Sequence, residues 1–285
     1  MKEAAEVAES RGVDLVLFAG DLFETTTPTP TQQRVAIDGM QEVASVAPVI
    51  MIPGNHEHPA TEGREHALDV FRELDGFYVY GKPSWLVWAR GKGPVHPDEA
   101  RGLPQEDLLA LTLLPWPLSR LARDGETVRE TYRSHVEAGQ WAASELGIPH
   151  VNMGHFTVSG SLPSGSEKSL QMGSEVVFGP EEFAGSDYTA LGHIHGHQNL
   201  GEDSPVVYAS SPERLSFNEE TEHKGVVTFD AGSPEDYEFV PTGARNFLTI
   251  EADVRDAEDP TEAILSEIPS QKAKGAIVRV RYQAK

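Results

Sequence analysis

The sequence contains 285 residues, with no cysteine, 39% hydrophobic residues and a formal net charge of −22. This hydrophobic content can bury a sizeable core in one large domain, or in a domain with a smaller appendage. The lack of cysteine excludes a disulfide framework and thiolate metal sites. The acidic charge argues against an extended Lys/Arg-rich surface that follows nucleic-acid phosphates, although bound cations can reverse the field at a local site.

No stretch approaches the roughly 18 unbroken apolar residues that a membrane span requires. The first residues, MKEAAEVAESRG, form an amphipathic pattern with acids rather than the basic and apolar layout of a secretory signal peptide. We therefore expect a cytoplasmic protein with no membrane partner.

The first half of the chain alternates helical and strand patterns. Residues 1–12 and 31–46 have helical periodicity, and each precedes a short apolar run that is typical of a buried strand, at 13–19 and 48–52. This alternation predicts parallel β-α-β units, in which ligand sites gather at the carboxyl ends of the strands.

The second half predicts a longer helix and several strands. Their ranges are 126–146 for the helix and 108–114, 151–154 and 188–192 for the strands. The last two strands run directly into histidines, so strand ends in both halves of the chain carry polar residues.

Polar or glycine-rich stretches separate or follow these elements. Residues 90–107 have the composition of an exposed polar excursion, and 157–175 that of a Gly/Ser-rich loop. Residues 206–240 predict short strands joined by turns, and a strand–helix–strand unit follows them. We therefore predict one domain over residues 1–242 and a small α+β domain over 243–285.

Four of the predicted strand ends carry polar residues that can bind metal. In chain order they are Asp21, Asn55 with His56, His155, and His193 with His195. A carboxylate, an amide oxygen and several imidazoles suit Mn, Fe or Zn better than Mg or Ca. A carboxylate can bridge two metals about 3.5–4 Å apart, which clamp the attacking and leaving oxygens of a phosphoryl displacement. The dipeptides GD and GN are each common in turns. Their occurrence in the order GD, GNHE, GH, GHxH nevertheless predicts a metallophosphoesterase.

Longer stretches resemble the calcineurin-like metallophosphoesterase superfamily and, within it, the SbcD-type exonuclease subunits of double-strand-break repair. These stretches are AGDLFE, IPGNHE, LLPWPLSRL, LGHIHGHQ and YASSPERLSF. The resemblance extends through nearly the whole chain. It implies an α/β fold, with a metallophosphoesterase β-sandwich that is flanked by helices and lacks the family's first strand. The C-terminal unit resembles that family's small α+β capping domain.

The resemblance implies two divalent metal ions, with Mn as the usual cofactor. Asp21 would bridge both metals. Asn55, His155 and His193 would complete one metal site, and His195 would bind the other metal.

His56 resembles the family's catalytic histidine, which stabilises or protonates the leaving oxygen. Glu57 would orient His56 from behind. The other histidines match no family ligand. Among them, His197 has the best case for a functional role, because its loop lies beside the metal ligands in sequence. The family's partners are DNA, an SbcC-type ATPase and a second copy of the chain, and its product is a shortened DNA strand.

The sequence departs from the family at both ends. The family opens with a strand ending in Asp-x-His, which binds the metal shared with His195, and no aspartate of these 285 residues is followed two positions later by histidine. The chain ends at RYQAK, before the segment that docks the ATPase in the family. We therefore expect a chain that is incomplete at both ends, or one that has lost a metal site. Such a chain would bind one metal well and hydrolyse DNA poorly.

Three functions stay open on the residues alone. The acidic charge favours a phosphoesterase on small phosphodiesters or monoesters. The missing Asp-x-His favours a non-catalytic scaffold, but the intact ligand positions and His56 argue against it. The C-terminal unit and the YASSPERLSF stretch favour DNA, so a metal-dependent DNA exonuclease subunit is the first hypothesis.

Overall fold

The computed structural model describes residues 1–58, 65–167 and 176–284. Within these ranges, a three-stranded and a seven-stranded sheet face each other with helices on their outer surfaces, and four further strands form two pairs. The predicted loop at 157–175 lies partly outside the described residues. No helix among the described residues combines the length and the apolar character needed to cross a bilayer.

The smaller sheet is parallel and is covered by two helices. In chain order these elements are α1 (Lys2–Arg11), β1 (Val16–Phe18), α2 (Pro30–Ala44), β2 (Val49–Met51) and β3 (Phe77–Val79). Helix α2 begins after Thr29, whose side chain accepts from the Gln32 backbone N–H while Gln32 bonds back to Thr29. Met40 and Val43 of α2 are buried in the cluster that covers this sheet.

The larger sheet has the order β5-β4-β6-β7-β8-β10-β9 among the described residues. Its elements, with two helices, are β4 (Ser84–Ala89), β5 (Gly93–Val95), α3 (Pro97–Ala100), β6 (Leu108–Leu114), α4 (Val128–Leu146), β7 (His150–His155), β8 (Tyr188–Gly192), β9 (Gln198–Asn199) and β10 (Val206–Tyr208). Strands β6, β7, β8 and β10 run parallel at its centre. Both faces of this centre are buried, which explains the continuous apolar run of β6.

The two sheets face each other across one apolar core. Ile50 and Ile52 of the smaller sheet belong to the same buried cluster as Trp88, Leu111 and Met153 of the larger sheet. On the far face of the larger sheet, residues of α4 bury a second cluster. This arrangement confirms the predicted α/β fold with a β-sandwich flanked by helices.

Two regions differ from the sequence-based elements. Strands β3 and β4 were not predicted, because three and six residues around a turn carry little periodic signal. Residues 90–107 are largely exposed, as predicted, but they contain β5 and α3, and the fully buried Ala100 joins an apolar cluster there. One small apolar residue among polar neighbours gives no periodic pattern, so the sequence does not show that it is buried.

The C-terminal part contains two strand pairs. The elements are β11 (Gly225–Asp230), β12 (Ser233–Pro241), β13 (Phe247–Asp253), α5 (Pro260–Glu267), α6 (Ser270–Ala273) and β14 (Ile277–Gln283). Strands β11 and β12 form an antiparallel hairpin whose Phe229 stacks on Tyr188 of the larger sheet at 4.0 Å between ring centres. Strands β13 and β14 pair in parallel, as the predicted strand–helix–strand unit requires. The domain boundary after residue 242 stays a prediction.

We expect Ile50→Ala to lower the free energy of unfolding by roughly 2–5 kcal/mol, because it leaves a cavity between the sheets. Ile50 is fully buried, whereas Val35 on α2 is 60% exposed. The matched control Val35→Ala should therefore change the value by less than about 0.5 kcal/mol. Urea unfolding of both variants measures the difference, and equal effects would contradict the packing described for the core.

Candidate metal centre

The side chains that follow β1, β2, β7 and β8 meet at one edge of the sandwich. Asp21 Oδ2 lies 3.0 Å from His155 Nε2. Asn55 Oδ1 lies 3.1 Å from the same nitrogen and 3.2 Å from His193 Nδ1. The ligand atoms of Asp21, His155 and His193 all lie within 4.8 Å of one another. Four of the five residues predicted as metal ligands are thus brought together.

A buried carboxylate joins the loop after β1 to the loop after β2. Glu57 is fully buried and accepts hydrogen bonds from the backbone N–H groups of Asp21 (2.9 Å), Phe23 (2.9 Å) and Gly54 (2.8 Å). Burial, and then the negative charge of Asp21, raise the pKa of Glu57 to about 7. Glu57 therefore holds the two ligand loops together, and its orientation of His56 stays a prediction.

Two of the ligand positions have an unusual backbone conformation. Asp21 has a φ of 58° and His193 a φ of 90°, in the region that favours glycine. Such a conformation persists only where the surrounding structure imposes it, and it is frequent at functional sites. At Asp21 the hydrogen bond from its own N–H to Glu57 helps to impose it.

The ring of His155 has a defined orientation. Its Nδ1 donates to the carbonyl oxygen of Ala19 at 2.5 Å, so Nε2 faces Asp21 and Asn55. A backbone acceptor of this kind is typical behind a metal-binding histidine. Burial alone would raise the pKa of Asp21, but the charge and hydrogen bond of His155 outweigh burial and lower it. Asp21 in turn raises the pKa of the buried His155 against the effect of burial.

These observations test whether the residues fit a metal. A carboxylate oxygen, an amide oxygen and two imidazole nitrogens lie within bonding reach of one small volume. The donor set therefore fits a divalent cation, and its mixture of oxygen and nitrogen suits Mn, Fe or Zn.

Trp116, which was not predicted to belong to the site, forms one wall of the cluster. The ring of Trp116 lies 5.0 Å from that of His193 and 6.1 Å from that of His155, between ring centres. Its backbone N–H donates to the carbonyl of Pro53 at 3.1 Å, which ties the loop after β6 to the loop after β2. The signal in the sequence was the Pro-Trp-Pro that follows the apolar run of β6.

His56 lies beside the cluster. Its Nδ1 donates to the carbonyl oxygen of Glu24 at 2.8 Å, and its backbone N–H donates to Asp21 Oδ1 at 3.0 Å. Its Nε2 is 4.0 Å from Asp21 Oδ2. The Glu24 carbonyl thus orients this ring, and Nε2 faces the cluster.

His195 is not a member of the compact group of ligand atoms found among the described residues. Its Nδ1 lies 2.9 Å from Glu219 Oε1. Burial, then the charge of His155 and to a smaller extent that of His195, lower the pKa of His193 to about 3. The role of His195 as a ligand of a second metal stays a prediction.

His197, the exception considered among the remaining histidines, has structural contacts. It stacks on Phe239 at 4.4 Å between ring centres, and its Nδ1 is 3.0 Å from the carbonyl of Tyr208. These contacts explain its presence without a role at the metal ligands.

We expect Gly54→Ala to prevent metal binding. A Cβ at Gly54 would collide with the Asp21 carboxylate and lie 2.6 Å from His155 Cε1, whereas at Gly102 the nearest atom would be 3.5 Å away. A metal at 100 times its dissociation constant stabilises by about 2.7 kcal/mol, which raises the melting temperature by on the order of 5 °C. Thermal unfolding with and without Mn²⁺ should show this rise in wild type and Gly102→Ala and not in Gly54→Ala. A full rise in Gly54→Ala would contradict the crowding described.

The chain is similar to DNA-repair nucleases over most of its length. It is 26% identical over 250 residues to the SbcD subunit of the SbcCD nuclease of Escherichia coli K12, covering 82% of this chain and 59% of the relative. It is 24% identical over 253 residues to the SbcD subunit of Bacillus subtilis, covering 83% and 61%. It is 26% identical over 282 residues to the DNA double-strand break repair protein Mre11 of Methanopyrus kandleri, covering 94% and 55%. The chain thus spans less than two thirds of the length of these relatives.

Residues 1–198 match the family of calcineurin-like phosphoesterases. The match covers more than half of the 285 residues and includes Asp21, Asn55, His155, His193 and His195. The use of divalent metals in this family agrees with the Asp/His cluster at the sheet edge. The chain therefore belongs to the calcineurin-like phosphoesterase family.

Proposed function

We propose that this chain is a metal-dependent DNA exonuclease subunit that hydrolyses phosphodiester bonds and acts with an SbcC-type ATPase in DNA repair and recombination. The observation that carries the proposal is the convergence of Asp21, Asn55, His155 and His193 beside His56. The names of the relatives, which are SbcCD nuclease subunits and the double-strand break repair protein Mre11, support the substrate and the partner.

The ligand assignment is part of the proposal. Asp21, Asn55, His155 and His193 would hold one divalent metal, and Asp21 with His195 would contribute to a second. We propose Mn as the ion, since the mixed oxygen and nitrogen donors suit it. The chemistry that such metals would supply is activation of the attacking water and neutralisation of the charge on the leaving oxygen.

The residues around the ligands have separate tasks. Because His56 Nδ1 donates to Glu24, its protonated ring would donate from Nε2 to the leaving oxygen. Glu57 keeps Asp21 and Asn55 at a fixed separation through its backbone hydrogen bonds. The indole of Trp116 excludes water from one side of His155 and His193.

The wider organisation also belongs to the proposal. We place the nuclease domain at residues 1–242 and the capping domain at 243–285, supported by the separate pairing of β13 with β14. The resemblance to SbcD-type subunits supports a homodimer within the complex and a cytoplasmic location.

We expect His193→Ala to remove most of the melting-temperature rise that Mn²⁺ causes in wild type, because it deletes a ligand atom of the cluster. His96→Ala is the control, since this histidine has a side chain that is 74% exposed and interacts with Asp98, outside the cluster. Differential scanning calorimetry with and without Mn²⁺ gives the shift for each protein. An unchanged shift in His193→Ala would place the metal elsewhere.

We expect these 285 residues to release nucleotides from linear duplex DNA slowly with Mn²⁺, because their sequence has no Asp-x-His. His56→Ala should lower that rate by a further factor of about 10²–10⁴, the usual contribution of a general acid. The Mn²⁺-induced melting shift should remain, because His56 is not a ligand. His96→Ala should retain the wild-type rate. Wild-type protein that hydrolyses a small phosphodiester but releases no nucleotides from DNA would contradict the proposed substrate. Protein that hydrolyses neither would contradict the enzymatic function.

A further inference from the structure

Glu219 is a buried carboxylate within a polar stretch of the sequence. It ends the short turn Phe217–Glu219, and its side chain is fully buried. Its Oε1 lies 2.9 Å from His195 Nδ1 and accepts from the Ser166 hydroxyl. Its Oε2 lies 2.8 Å from Lys224 Nζ and accepts from the backbone N–H of Leu215 at 3.1 Å. Each oxygen of the carboxylate therefore has two partners.

The buried ion pair of Glu219 and Lys224 holds His195 at two points. Glu219 bonds to the imidazole ring, and Lys224 Nζ donates to the backbone carbonyl of His195 at 2.9 Å. The Ser210 hydroxyl donates to the same carbonyl at 2.8 Å. Burying two charges costs more than burying apolar side chains of the same size, so a buried pair is weak evidence for a role in stability alone. The shared partner of both charges is His195.

We propose that Glu219 is a positioning residue that fixes His195 with its proton on Nδ1, so that Nε2 presents a lone pair to a divalent cation. The inference rests on the proposed metal centre, to which it adds the group behind His195. A carboxylate in this position orients a metal-binding imidazole and raises its basicity. Among the described residues, no hydrogen bond is made by His195 Nε2.

His155 provides an internal comparison. Its Nδ1 donates to the Ala19 carbonyl, and its Nε2 faces the cluster. His195 has the same arrangement on the acceptor side, with a carboxylate in place of the carbonyl. The Ser166 hydroxyl lies 3.0 Å from His195 Nδ1, but its own proton is directed to Glu219, so it supports the same ring orientation.

Two double variants separate positioning from folding. Glu219→Gln with Lys224→Met retains an oxygen acceptor for His195 Nδ1, and Glu219→Leu with Lys224→Met does not. Replacing both members avoids an isolated, fully buried charge, and Glu222, the other carboxylate bound to Lys224, keeps contact with solvent. Both metal-free proteins should therefore unfold within a few degrees of wild type. Glu220→Gln is the matched control, because the neighbouring Glu220 bonds to Thr249 and not to a histidine.

The first measurement uses ¹⁵N NMR of the histidine rings in the metal-free proteins, with the His195 signals assigned by their loss in His195→Ala. We expect His195 to carry its proton on Nδ1 in wild type, Glu220→Gln and the Gln double variant, and to lose this preference in the Leu double variant. A wild-type His195 protonated on Nε2 would overturn the inference.

The second measurement follows the same signals during titration with Zn²⁺, which is diamagnetic. The response of His195 Nε2 should need about 10–100-fold more Zn²⁺ in the Leu double variant than in wild type. An equal response in both, no response in wild type, or the same loss in Glu220→Gln would overturn the positioning role. Failure of the metal centre itself would be seen separately, as absent responses of His155 and His193.

Discussion

Three backbone N–H groups from two different loops donate to one carboxylate, that of Glu57, and the rest of the centre depends on this contact. It places the loop after β1 against the loop after β2, and so sets the separation of Asp21 and Asn55. Burying a carboxylate requires hydrogen bonds to both oxygens, which the two loops supply together. The loop after β1 supplies a donor to each oxygen, and the loop after β2 supplies Glu57 itself and the third donor, so this contact links the two loops.

Crowding around His155 explains the glycines of the ligand motifs. A Cβ at Gly20 would lie 2.5 Å from His155 Nδ1, and one at Gly54 would lie 2.6 Å from its Cε1. Both positions thus allow the backbone to approach the ring closely. The GD and GN dipeptides are common in turns, yet here their glycines are required by the histidine of β7. The motifs are therefore parts of one packing arrangement rather than independent turns.

The sequence predicted the residues that end strands better than the residues that support them. Asp21, Asn55, His155 and His193 could be found because each follows an apolar run, and parallel strands bring such ends together. Glu57 was predicted to support the site, but the three backbone N–H groups that donate to it were not predicted. Backbone donors on loops cannot be identified from residue types. The parallel strands and most helices could be predicted from periodicity, and the sandwich from the resemblance to the family, whereas β3 and β4 depend on pairing with distant strands.

Glu219 was missed for the same reason, and its surroundings extend the centre toward the C-terminal unit. Its polar neighbours suggest a solvated turn, and only the tertiary contacts with His195 and Lys224 show that it is buried. Arg214 donates to the carbonyls of Glu219 and Ala244, and Thr249 of β13 donates to Glu220. The turn that orients His195 is thus hydrogen-bonded to the first residues of the C-terminal unit.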